Sequence, residues 1–132
     1  MKRFLIALLV CFSGMAGAQE LNIARMPLAV LTAKNVLLVF TPIPAERTTS
    51  SSLLKSQQKT EELFAKWNRF QIVNDPHADL VIMVADYYGS RVSLDVFGPD
   101  GPRGEKLWTE EARDLPHALK DFRKSIELAE RH

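Results

Sequence analysis

The sequence predicts a two-layer α+β fold with elements in the order β-α-β-β-β-β-α. Three observations carry that expectation. Val36-Leu37-Leu38-Val39-Phe40 and Leu80-Val81-Ile82-Met83-Val84-Ala85 are unbroken apolar runs of strand length, the pattern of strands covered on both faces. Leu53 to Trp67 and Leu115 to Arg131 place apolar residues at helical spacing. Val92 to Phe97 alternates, as a half-covered strand does. At 132 residues, with 46% hydrophobic and 25% charged residues, the chain suits one globular domain and excludes a disordered or fibrous one.

The first 18 residues are expected to stand outside that domain. Lys2 and Arg3, the apolar run Phe4 to Phe12, and Ala16-Gly17-Ala18 are the three parts of a secretory signal. Cleavage after Ala18 leaves a single domain, residues 19–132, in the periplasm or outside the cell. The run is shorter than the roughly 20 residues a bilayer core requires, so no transmembrane segment is expected after cleavage. Cys11 follows Val10, where a lipoprotein signal needs a small residue, and it belongs to the leader. A mature chain without it has no disulfide, no Cys-ligated zinc and no thiol nucleophile. Without Lys2 and Arg3, fifteen basic residues face sixteen acidic ones. That balance gives no electrostatic reason to expect nucleic acid as a partner.

Residues 19–33 read as an N-terminal arm, extended or a short edge strand, because Pro27 interrupts its apolar residues. Asn35 to Thr41 is the first strand, closed by Pro42 and Pro44. Ala45 to Ser52 is a polar loop whose serines can cap the helix Leu53 to Trp67. On that helix Leu53, Leu54, Leu63, Phe64 and Trp67 share a side, while Gln57, Gln58, Lys59, Glu62 and Lys66 face water. Asn68 stops it, since Asn tolerates the left-handed conformation. Phe70 to Val73 is a short strand and Asn74 to His77 a turn. Asp79 opens the second apolar strand, which leaves through Tyr87, Tyr88 and Gly89. Val92, Leu94 and Val96 face one way; Ser93, Asp95 and Phe97 face the other. Gly98 to Glu105 is the loop of a hairpin that returns along Lys106 to Glu110. Asp114 caps the last helix, Pro116 fits its first turn, and Leu115, Leu119, Phe122, Ile126 and Ala129 form its apolar stripe. This order gives a parallel crossover, then an antiparallel meander with the C-terminal helix packed back on the sheet. One helix layer covers only one sheet face. The other face awaits the second helix, the arm, or another chain.

Few residues suggest chemistry. Asp75, His77 and Asp79 have the types needed for a hard-metal site or a general base. One imidazole with no second His at ligand spacing, beside an Asp-Pro turn, reads better as local structure. His117 and His132 have no sequence partner. Gly98, Gly101 and Gly104 recur every three residues, but they join strand to strand, with no helix start to receive a phosphate. Ser50 to Ser52 lack a nucleophile elbow. No catalytic residue, metal or cofactor is therefore expected. The candidate ligand or partner surface is aromatic: Tyr87 or Tyr88 together with Phe97, which points outward by the alternation.

Arg69-Phe70-Gln71-Ile72-Val73, then Asp75-Pro76, then Ala78-Asp79-Leu80-Val81-Ile82 resembles a motif of small α/β domains in bacterial envelope proteins, such as the TolB N-terminal and CsgG-like domains. Asp95-Val96-Phe97, Gly101 and Lys106-Leu107-Trp108 look like a hairpin shared by many short secreted bacterial proteins. The resemblance spans roughly residues 34–130 and is carried by strand starts, a turn and a packed Trp. It implies a non-catalytic binding or assembly module of the cell envelope, whose partner is another envelope protein or a second copy of the chain. Two alternatives stand beside it: a small periplasmic hydrolase-like enzyme using His77 and Asp79, and a homo-oligomeric structural envelope protein.

Overall fold

The computed structural model describes residues 26–43, 49–87 and 90–131. The leader with Cys11, the first part of the arm, residues 44–48, Tyr88, Gly89 and His132 lie outside the described residues. The elements are α1 (Leu28–Thr32), β1 (Asn35–Pro42), α2 (Ser50–Trp67), β2 (Gln71–Ile72), β3 (Leu80–Asp86), β4 (Val92–Phe97), β5 (Lys106–Ala112) and α3 (Leu115–Glu130), with a 3-10 turn at Gly101–Arg103 before β5. The strands form one mixed sheet in the order β2-β1-β3-β4-β5. β1 runs parallel to β2 and β3, and β3, β4 and β5 form the antiparallel meander. This is the expected α+β architecture, with α3 folded back onto β4 and β5.

Local chemistry sets the element ends. Thr49, not one of the serines, caps α2: its hydroxyl accepts from the Ser52 N–H at 3.2 Å, and the serines fill the first turn. Asn68 ends α2 in the left-handed region (φ 60°, ψ 25°), with its N–H donating to the Phe64 carbonyl. Asp114 caps α3 by accepting from the His117 N–H at 2.9 Å, and Pro116 occupies the first turn. The arm differs from expectation. Met26 and Val30 are buried, and Leu28–Thr32 is helical. Pro27 stands just before this helix and ends nothing there, because its fixed φ suits a helix entry and its missing N–H is not needed.

All three helices lie on one face of the sheet. Val36, Leu38, Leu80, Ile82, Val84, Leu94 and Val96 form its floor, and Val30, Phe64, Phe122 and Ile126 press down on it. Trp67 joins the two long helices, meeting Phe122 edge-on at 5.7 Å between ring centres and Phe70 at 5.4 Å. Of the two faces of β1 and β3 expected to be covered, the described helices cover one. On the opposite face Leu37, Val39, Met83 and Ala85 are only half-buried. Among the described residues the turn Gly98–Gly104 is what approaches this face, at Val81. It comes close because Gly101 takes φ +64° and presents no side chain there; a Cβ at Gly101 would stand 3.7 Å from Val81 Cγ2.

The β1 edge is closed. The β2 side supplies bonds to the Lys34 and Val36 carbonyls. Further along, the Gln57 amide accepts from the Phe40 N–H at 2.9 Å and donates to the Leu38 carbonyl at 3.0 Å, as a neighbouring strand would. Gln57 therefore faces β1 and not water. Replacing Gln57 with Leu leaves two part-buried backbone groups without protein partners and is expected to cost about 1–2 kcal/mol, measured by urea unfolding. A loss near zero would mean that water replaces the amide.

Candidate interaction surfaces

The acidic cluster around His77 is structural in its geometry. Asp75 Oδ1 accepts from the His77 N–H at 2.9 Å, closing the turn before β3. Asp79 reaches across the sheet: its Oδ2 accepts from the Lys34 N–H at 2.9 Å and the Asn35 N–H at 3.4 Å. The Asp79 N–H in return donates to Asn35 Oδ1 at 2.6 Å. The local backbone bond expected for Asp79 is thus a bond to a strand some 45 positions away. Among the described residues no three His, Cys, Asp or Glu side chains gather as an ion requires.

His117 has the partners its sequence context did not suggest. Its Nδ1 lies 2.6 Å from Asp114 Oδ1, and Arg113 donates to its Nε2 at 2.8 Å. With Nε2 accepting, the ring proton belongs on Nδ1, facing the carboxylate. Both nitrogens are engaged in holding the start of α3. His77 is exposed.

The proposed aromatic surface is dispersed. Phe97 pairs with Val81 across the β3–β4 ladder, whereas Tyr87 follows the far end, where Asp86 meets Val92. Six residue steps along the strand direction separate them, about 20 Å. Phe97 is 8% exposed, although it lies on the face the alternation assigned to it. The Arg91 guanidinium lies 4.4 Å from the centre of the Tyr87 ring. Tyr88 lies outside the described residues.

Two surfaces emerge instead. The first is the sheet face opposite the helices. Its centre, Leu37, Val39, Met83 and Ala85, is apolar, and its β4–β5 flank is polar. There Asp95 accepts from Thr109 at 2.6 Å and Ser93 at 3.2 Å, with the Lys106 ammonium 3.6 Å away. The second surface is a groove between α2 and α3, with Leu63, Trp67 and Leu119 at its base. Among the described residues no helix is long and apolar enough to cross a membrane.

Two carboxylates give opposite pH signatures. Hydrogen bonds from the His117 backbone and side chain hold Asp114 below its ordinary pKa. Its contribution is present above the unfolded value and is lost as pH falls through the lowered one. Burial pushes Glu110 upward, and Asp121 adds repulsion, against a bond from the Trp108 indole at 3.0 Å. Glu110 therefore weakens the fold once pH rises through its raised value. Thermal unfolding from neutral pH to about pH 2 should show Asp114→Ala below wild type at neutrality, the gap closing in acid. Glu110→Gln should unfold above wild type at neutrality and match it in acid. Parallel curves for either variant would contradict these roles.

Neither protein-family models, nor curated proteins, nor solved structures provide a match to this chain.

Proposed function

We propose that the chain is an exported, non-catalytic binding or assembly module of the cell envelope, docking another polypeptide against the helix-free face of its sheet. The observation that supports this reading is the one-sided placement of the helices. β1 and β3 are apolar on both faces, yet the helices bury only one, and Leu37, Val39 and Met83 remain half-buried side by side on the other. Three neighbouring large apolar side chains on a regular, rigid surface favour a partner over water. The secretory leader and the resemblance to TolB N-terminal and CsgG-like domains point to the same compartment and kind of role.

Capture from native envelopes with the wild type and with Met83→Glu tests it. The expected result is a bait beginning at Gln19 and a polypeptide retained by the wild type but lost by the variant, with both baits equally folded by circular dichroism. A second copy of the chain as that polypeptide would identify a homo-oligomer using this face. Identical captures, or a turnover abolished by His77→Ala, would overturn the proposal.

A further inference from the structure

The groove between α2 and α3 lies on the opposite side of the molecule from the sheet face just discussed, and its chemistry is different. It is an open channel of about 740 Å³. Leu63 and Trp67 come from α2 and Leu119 from α3; Leu119 is 6% exposed and Leu63 and Trp67 are half-buried, so the apolar atoms sit low. The rim is cationic on both walls: Lys66 from α2, and Lys120, Arg123 and Lys124 from α3. Glu127 is the one acid among the residues lining it. Among the described residues no carboxylate lies within ion-pair distance of any of these four cations; ion pairs form elsewhere, at Arg69–Glu130 and Lys106–Asp95. Arg123 rests 5.6 Å from the centre of the Trp67 ring, which holds its charge above the apolar base. The remaining acid of this part of α3, Asp121, turns the other way, toward Glu110 on β5. Three of the four cations on the groove rim thus come from one stretch of α3, facing the single Lys66 of α2.

We infer that this groove docks an acidic amphipathic helix of a partner protein. A helix laid between two others inserts one ridge of side chains. Here an apolar ridge meets Leu63, Trp67 and Leu119, and Asp or Glu on its two flanks meets Lys66 on one wall and Lys120, Arg123 and Lys124 on the other. Depth separates this occupant from an anionic membrane. A flat surface touches the raised cations and leaves the recessed apolar base empty, whereas a helical ridge reaches both. The inference is independent of the sheet-face proposal, because the residues involved share no element surface with Leu37, Val39 or Met83.

The test uses the full mature protein carrying Trp108→Phe, so that Trp67 is its single indole reporter. Two synthetic helical peptides serve as probes, both with Leu at three- and four-residue spacing, one with Glu and one with Lys on the flanking positions. Phosphatidylglycerol vesicles are the third probe. The expected result is a saturable change in Trp67 fluorescence with the Glu peptide, weakening as salt is raised, and none with the Lys peptide. The exposed pair of changes Lys120→Glu and Arg123→Glu should weaken that binding at least about tenfold with the unfolding midpoint retained. Equal binding of the two peptides, no saturable response to the Glu peptide, or binding untouched by the charge reversal would overturn the inference. So would vesicle binding that the reversal abolishes while the Glu peptide fails to bind.

Discussion

The parallel registry of β1 against β3 decides which half of two mainly apolar strands becomes the core. Neither strand carries an alternation that would set its inward face, so the choice is made at the strand starts. Asn35 and Asp79 exchange bonds there, carboxylate to backbone N–H in one direction and amide oxygen to backbone N–H in the other. With Val36 opposite Leu80 and Leu38 opposite Ile82, those side chains and Val84 lie together beneath the helices. Leu37, Val39 and Met83 are committed to the other face by the same registry.

From that constraint follows a molecule with two unlike sides. On the helix side, Phe64, Trp67, Phe70 and Phe122 form a continuous aromatic contact that ties α2 to α3 and closes the core. Arg69 fastens the ends of the helices around it, reaching Glu130 at 2.6 Å and the Leu31 carbonyl at 3.0 Å. On the sheet side, order comes from the ladders and the side-chain bonds around Asp95, with the Gly98–Gly104 turn over one corner. The polypeptide proposed to dock there would meet a preformed surface, with little ordering entropy lost on binding.

Much of the fold was legible because long elements announce themselves. The two apolar runs, the two helical stripes and the alternation at Val92 to Phe97 each span enough residues to show a period, and the order of strands and helices follows from them. Short or distant features were not. Five residues cannot display a helical period, so α1 looked like an arm. Gln57 looked like an ordinary solvent-facing helix residue, and only the β1 edge beside it shows why an amide stands there. Phe97 was assigned to the correct face, but a turn in its own hairpin shields that corner. The bonds of His117 to Asp114 and Arg113 lie within four positions and were within reach of sequence, as a capping Asp three residues before a His places both on one turn. The cationic groove was out of reach, because Lys66 and Lys120 become neighbours only when α2 and α3 pack on the same sheet face.

Among the described residues the sheet face opposite the helices is left uncovered by them at Leu37, Val39 and Met83. In a protein prepared from Gln19 onward, the two methionines are Met26, in the core, and Met83, on that face. Methyl-labelled methionine NMR with a dissolved paramagnetic chelate reads both at once. The Met83 methyl is expected to broaden while that of Met26 is spared. Equal protection of the two would contradict it, because that face would then be covered without any partner.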